Sequence, residues 1–166
     1  MATAARFGRP FYLIWTFYFL SFVAVYQLLP TVPFRLRELG VGLAESGRFT
    51  LTFMVGSGVG ALFTGLLGDR YGQKKVLSVA TLAALSCFLL YTQFHRPGMF
   101  LALGLVHGVV WSGFRTATLA WIGGYLPEDQ RVDGLALFGM AAPGGAAIGP
   151  ILGLWLMPWI GFGGLM

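Results

Sequence analysis

The chain has 166 residues, of which 57% are hydrophobic and 10% are charged, and its mean hydropathy is +0.76. Because a soluble domain usually has about a quarter of its residues charged, this composition excludes an ordinary soluble protein and predicts an integral membrane protein. The formal net charge of +5 does not indicate a nucleic-acid partner, since the basic residues lie mostly in loops between apolar segments. The single cysteine, Cys87, lies inside an apolar segment, so we expect no disulfide, metal site or cofactor.

Five apolar runs are long enough to cross the roughly 30 Å hydrocarbon core of a bilayer as helices. They cover about residues 11–29, 49–68, 76–94, 99–125 and 135–157. A sixth run starts at Pro158 and has only a few residues before Met166. The sequence therefore predicts an all-α, polytopic transmembrane helix bundle over residues 1–166, with five complete helices and a truncated sixth.

The distribution of basic residues favours a cytoplasmic N-terminus. In that orientation six Lys and Arg residues face the cytoplasm and four face the outside. The inner residues are Arg6, Arg9, Arg70, Lys74, Lys75 and Arg131, and the outer ones are Arg35, Arg37, Arg48 and Arg96. We expect the protein in a plasma membrane, which in a bacterium is the inner membrane.

Two prolines, Pro30 and Pro33, follow the first apolar run. Because proline removes a backbone donor and biases the preceding residue away from helix, they predict a kinked exit from the first span. Glu45 and Ser46 come shortly before the second run, where we expect them to start its helix as N-terminal hydrogen-bond acceptors.

Aromatic side chains recur every four residues along the first span, at Tyr18, Phe22 and Tyr26, with Gln27 beside them. Such a stripe is typical either of helix packing or of a surface that holds an amphipathic substrate. Tyr18, Tyr26 and Gln27 are therefore candidate cavity residues.

Small residues mark one part of the second span. Gly56, Gly58 and Gly60 alternate along it, and glycines in a membrane helix predict close approach of a neighbouring helix.

A charged turn, GLLGDRYGQKKVL at residues 65–77, joins the second and third spans. Gly72 allows a tight turn, and we expect Asp69 to cap or pair with nearby donors. The turn resembles the signature loop of the major facilitator superfamily of secondary transporters, Gly-x-Leu-x-Asp-Arg-x-Gly-Arg-Lys-x-x-Leu. The one departure at a charged position is Gln73, where the family usually has Arg.

This resemblance implies a role in conformational switching. In the family the loop stabilises the outward-facing state by gripping the second half of the transporter. The implied switch residues are Gly65, Asp69, Arg70, Gly72 and Lys74.

The fourth span contains two ionisable residues, His107 and Arg115. A charge near the bilayer centre costs about 2.5 to 3.5 kcal/mol, so such a group normally faces a cavity or a partner. Together with Trp111 and Thr118 they recur at about one helical turn, which predicts a stripe lining a central cavity. The alternatives are that Arg115 snorkels to the inner surface and that His107 only hydrogen-bonds a neighbouring helix.

The fifth span carries small residues four apart, at Gly145, Gly149 and Gly153, with Pro150 beside the middle one. They predict a groove for close helix packing, with a locally weakened hydrogen-bond ladder. The run resembles the Gly-x-x-x-Gly-Pro-x-x-Gly-Gly signature typical of the superfamily's antiporters, with Leu154 in place of the last glycine.

Together these motifs resemble the N-terminal half of a superfamily transporter, most closely the drug and metabolite:proton antiporter branch. The resemblance implies alternating access, with a C-terminal bundle or a second half-subunit as partner and a substrate site between the halves. We expect efflux of a small organic molecule in exchange for protons. The alternatives are uniport or symport of a sugar, metabolite or organic anion, which Arg115 favours for a negative substrate, and a half-transporter or nonfunctional fragment.

Two differences from the proton-coupled antiporters weigh against the usual proton relay in this half. Their fourth span commonly carries Arg-x-x-Gln-Gly, where this chain has GLVHG at residues 104–108, and the first span has no carboxylate. His107, or an acid in a second half, would have to substitute.

An enzyme is the remaining alternative, because intramembrane serine proteases also place a serine and a histidine on neighbouring spans. Ser57 and His107 have those positions, but the glycine usually found two residues before the serine is Val55 here. We therefore expect no catalytic residues and no enzyme activity.

Overall fold

The computed structural model describes residues 7–166, so Arg6 lies outside the described residues. The elements are helix α1 (Arg9–Glu38), α2 (Leu43–Ser46), α3 (Arg48–Tyr71), α4 (Gln73–Gln93), α5 (Pro97–Tyr125), a short 3-10 turn (Glu128–Gln130), α6 (Arg131–Gly139) and α7 (Ala141–Leu165). The described residues form helices and no strand, and five helical segments are long and apolar enough to cross a membrane. The predicted all-α transmembrane fold is confirmed.

Two helix pairs dominate the packing. Helix α3 lies along α5, and α1 lies along α7. Helix α4 also packs on α5 and touches α3 much less. Aromatic side chains join the two pairs where α1 crosses α5. The ring centroids of Phe22 and Trp111 are 4.8 Å apart, and those of Tyr18 and Phe114 are 5.9 Å apart.

The α3–α5 pair is held at backbone contact by glycines. A Cβ atom on Gly60 would lie 2.8 Å from the Val109 carbonyl oxygen, and one on Gly56 would collide with the Leu105 carbonyl. From the opposite helix, a Cβ on Gly108 would collide with the backbone of α3. Gly58 differs, since a Cβ there would meet nothing within 4 Å, so only two of the three alternating glycines make the predicted close approach.

Helix α1 continues through Pro30 and Pro33 to Glu38, so the first span does not end at these prolines. The kink predicted there stays a prediction. Pro30 and Pro33 leave the carbonyls of Tyr26 and Leu29 without their usual helix hydrogen bond. The nearby Thr31 hydroxyl donates at 2.8 Å to a different carbonyl, that of Gln27.

The helix starts around the second and last spans also differ from expectation. Ser46 donates its hydroxyl proton to the Leu43 carbonyl at 2.7 Å within α2, and α3 begins after Gly47 without a side-chain cap. At the other end, α7 passes Pro158 and is interrupted at Gly161, where φ is 69° and ψ is 172°. A break before a sixth span therefore lies at Gly161, three residues after the predicted position.

We predict that Gly60→Ala destabilises the bundle by about 1–3 kcal/mol, because the new methyl group would overpack the α3–α5 backbone contact. Gly58→Ala is the matched control, two residues away on the same helix and facing open space. Thermal unfolding in detergent should show a lower midpoint for the first variant only. Equal midpoints for the two variants would contradict the close approach.

Candidate functional site

The turn between α3 and α4 is closed by Gly72. Its φ of 88° and ψ of 137° are strained for any residue with a Cβ, and its N–H donates to the Gly68 carbonyl at 2.9 Å. Asp69 and Arg70 are exposed at the end of α3, and the Arg70 guanidinium lies over the Tyr71 ring at 5.4 Å. The turn thus presents its charges outward from a fixed backbone.

Two contacts of this turn were not anticipated from the sequence. The Lys74 ammonium lies 5.9 Å from the centroid of the Trp121 ring on α5, and the Gln73 side chain lies against Gly68. The Trp121 contact has a signal in the sequence, since a tryptophan near the end of a membrane span is typical of the interface where lysines also lie. The Gln73 contact has none, because it depends on how sharply Gly72 turns the chain.

Asp69 does not act as the cap that we expected. Gly72 is the N-cap residue of α4 and receives no side-chain hydrogen bond, and Asp69 forms no ion pair with any other residue in 7–166. Gly65, one turn before Asp69, also has no packing contact, since a Cβ there would meet nothing within 4 Å. Within this bundle, neither residue has a structural partner that explains it.

The glycines of the fifth span pack against α1. A Cβ on Gly149 would lie 2.7 Å from the Val23 carbonyl oxygen, and one on Gly153 would lie 2.8 Å from Cβ of Gln27. Gly145 meets Phe22 in the same way, one turn earlier. These residues therefore form the close helix contact that the small-residue spacing predicts, within this one bundle.

His107 lies inside the bundle, enclosed by aromatic side chains of α3 and α4. Its ring is fully buried, with centroids 5.2 Å from Phe88 and 5.6 Å from Phe53. Neither ring nitrogen has a hydrogen-bond partner among residues 7–166, so the expected interhelical hydrogen bond is not formed and Ser57 does not pair with it. The expectation that His107 faces a central cavity is not met, because α3 and α4 cover this side of α5.

The other members of the fourth-span stripe separate by exposure. Trp111 and Thr118 are buried, at 3% and 1% exposure, whereas Arg115 is exposed. The Arg115 side chain interacts with the hydroxyl end of Tyr18 on α1. Arg115 is therefore the member of the stripe whose side chain is exposed.

The aromatic stripe of α1 serves mainly in packing. Tyr18 is buried at 2% exposure and stacks on Phe138 of α6 at 4.7 Å. Gln27 is also buried, and its side-chain oxygen lies 3.2 Å from the Thr31 hydroxyl oxygen. Tyr26 is only partly buried, so it is the candidate on α1 with side-chain surface left for a ligand.

The charged turn and the glycine contacts are the features that the sequence motifs predict. Comparison with known proteins then shows which family the chain belongs to. A family model described as Major Facilitator Superfamily matches residues 14–166. The chain belongs to this superfamily. With its apolar helices, membership makes it an integral membrane protein of a family of transporters, not enzymes.

Three curated relatives illustrate the range of superfamily members that the chain resembles. A gallate transporter of Pseudomonas putida is 27% identical over 149 residues, which are 89% of this chain and 33% of the relative. A benzoate transport protein of Acinetobacter baylyi is 30% identical over 147 residues, 87% of this chain and 31% of the relative. The multidrug resistance protein MdtG of Yersinia enterocolitica is 29% identical over 156 residues, 90% of this chain and 37% of the relative.

The chain spans about a third of the length of these relatives. No solved structure matches it.

We predict that Gly72→Ala lowers the free energy of unfolding by about 1–3 kcal/mol, because alanine would be forced to positive φ in the turn between α3 and α4. Gly65→Ala is the control from the same motif, since it lies inside α3 with open space around it. Because alanine has a higher helix propensity than glycine, Gly65→Ala should leave the free energy of unfolding unchanged or slightly raised. Chemical denaturation in detergent measures both, and a tolerated Gly72→Ala would contradict the observed turn conformation.

Proposed function

We propose that the protein takes part in secondary active transport of a small aromatic carboxylate, with this bundle as the N-terminal half of an alternating-access transporter. Arg115 is the observation that carries the proposal. A guanidinium binds a carboxylate through two parallel hydrogen bonds, which also fix the orientation of the ligand. The gallate and benzoate transporters among the relatives supply the substrate class.

The surroundings of Arg115 suit a flat acid. Tyr18 on α1 interacts electrostatically with it, so the guanidinium lies near the crossing of α1 and α5. Phe17 and Phe114 lie at this crossing, with ring centroids 5.8 Å apart, and Phe17 is exposed. An aromatic substrate would gain ring contacts there while its carboxylate pairs with Arg115.

Alternating access supplies a role for the exposed end of α3. Asp69 and Gly65 have no partner in this bundle, which supports the proposal that they contact a C-terminal bundle or a second half-subunit. In this proposal the turn lies in the cytoplasm, the N-terminus lies on the same side, and the membrane is the plasma membrane. Breaking that contact would change the balance between the conformations without changing the fold of this half.

We predict that Arg115→Gln, made in the full-length protein, weakens uptake of labelled benzoate or gallate by about tenfold to a hundredfold in apparent affinity. This range corresponds to losing a charged hydrogen-bond pair of about 1.5–3 kcal/mol. Arg37→Gln is the control, since Arg37 is exposed at the end of α1, away from this crossing.

Competition with a neutral analogue separates charge recognition from ring contact. In the parent protein, benzamide should compete with labelled benzoate much more weakly than unlabelled benzoate does. In Arg115→Gln, benzamide and unlabelled benzoate should compete equally well. Uptake that is unchanged in Arg115→Gln, or reduced equally in Arg37→Gln, would contradict the assignment of Arg115.

A second candidate function is efflux of a small organic molecule in exchange for protons. The Gly145, Gly149, Pro150 and Gly153 motif and the similarity to a multidrug resistance protein support it. In this version the substrate leaves the cytoplasm while protons enter through an acid outside the described bundle or through His107 in another conformation.

Counterflow in proteoliposomes distinguishes the coupling modes. Proton antiport predicts that an inwardly directed pH gradient accelerates substrate exit several-fold and that a protonophore abolishes the acceleration. Exchange that is independent of the gradient would remove the proton from the mechanism.

A further inference from the structure

An apolar groove of about 420 Å³ lies between α3 and α4, with α5 as its floor. It exists because both helices pack on α5 more extensively than on each other. At Gly113 of α5 the three helices come close, since a Cβ there would lie 3.4 Å from Thr64 and 3.8 Å from Ala80. The walls are otherwise valine, leucine and alanine side chains: Leu67, Val76, Val79, Ala83, Val109 and Val110.

One end of this groove is positively charged. Lys75 and Tyr71 line it where α3 turns into α4. Lys74 lies over Trp121 and Arg70 over Tyr71, whereas Lys75 forms no ion pair with the other residues in 7–166. Lys75 therefore has an ammonium group available at the membrane surface, directly above an apolar channel.

The groove lies on the least covered helix of the bundle. Only 17% of the most apolar window of α4 is buried, compared with 50% for α5. Val79 and Leu67, on opposite walls, are 67% and 43% exposed. In a membrane, apolar surface of this kind is in contact with lipid acyl chains.

We propose that this groove binds one anionic phospholipid, with the phosphate-bearing headgroup at Lys75 and an acyl chain between α3 and α4. The groove extends from Lys75 to Ala83 along α4, which is about 12 Å at 1.5 Å per residue. One leaflet is about half of the roughly 30 Å hydrocarbon core, so the groove is long enough to hold most of one acyl chain, starting at its headgroup end. Arg70 and Lys74 add to the positive field that attracts an anionic headgroup.

The binding reaches beyond headgroup attraction because the two parts of the lipid are held by different residues. A soluble phosphate would pair with Lys75 but leave the groove empty. A neutral lipid would fill the groove but would not pair with Lys75. An anionic lipid in this position would also pack α3 against α4, next to the turn at Gly72.

Native mass spectrometry of the delipidated full-length protein, titrated with phosphatidylglycerol or phosphatidylcholine, tests the proposal. The parent should bind one phosphatidylglycerol in preference to phosphatidylcholine. Lys75→Gln should weaken phosphatidylglycerol binding about fivefold, the equivalent of one surface lysine, and leave phosphatidylcholine unchanged. Arg96→Gln, an exposed cation beyond the opposite end of α4, is the charge control and should have no effect.

Filling the groove tests the acyl-chain part separately. Val79→Trp should reduce binding of phosphatidylglycerol, whereas Leu82→Trp, equally exposed on α4 but outside the groove, should not. Displacement of the lipid by glycerol phosphate would show a headgroup site only. That result would overturn the proposal. So would equal binding of the two lipids by the parent, or the absence of lipid binding because the rest of the full-length protein covers the groove.

Discussion

Backbone contact between helices is the constraint on which this bundle depends. Lipid is as apolar as a leucine side chain, so burying apolar surface drives membrane helices together only weakly, and close van der Waals packing must hold them. Gly56 and Gly60 on α3, with Gly108 on α5, allow that contact in one pair. Gly149 and its neighbours allow it between α7 and α1. Because any Cβ would force these backbones apart, small residues determine which helices become neighbours, and the aromatic contacts between α1 and α5 then join the two pairs.

The fold and the two family motifs follow from the sequence because each depends on local properties. Spans were recognisable from the length of apolar runs, and the turn at Gly72 was recognisable from the order of its charges and glycines. The packing role of Gly145, Gly149 and Gly153 follows from a four-residue spacing, which places them on one face of a helix whatever lies opposite.

The candidate site was harder to predict because it depends on which helix covers which face. The periodicity of the fourth span groups His107 with Arg115, but it cannot show that α3 and α4 enclose the histidine while the arginine stays exposed beside Tyr18. The prolines of α1 failed as helix breakers for a related reason. A break in lipid leaves backbone groups without water, so continuing the helix through the prolines has the lower energy.

The most direct measurement of the α3–α5 contact is a disulfide between Thr64→Cys and Thr116→Cys in a Cys87→Ser background. The two threonine hydroxyl oxygens are 3.4 Å apart, and cysteine has nearly the same size, so mild oxidation should link the helices without disturbing them. The pair Ser57→Cys and Thr116→Cys, displaced by two helical turns or about 10 Å, should stay reduced. Loss of maleimide labelling and a mass decrease of two hydrogens would report the link. Crosslinking of the displaced pair, or none at positions 64 and 116, would contradict the close α3–α5 packing on which this account of the bundle depends.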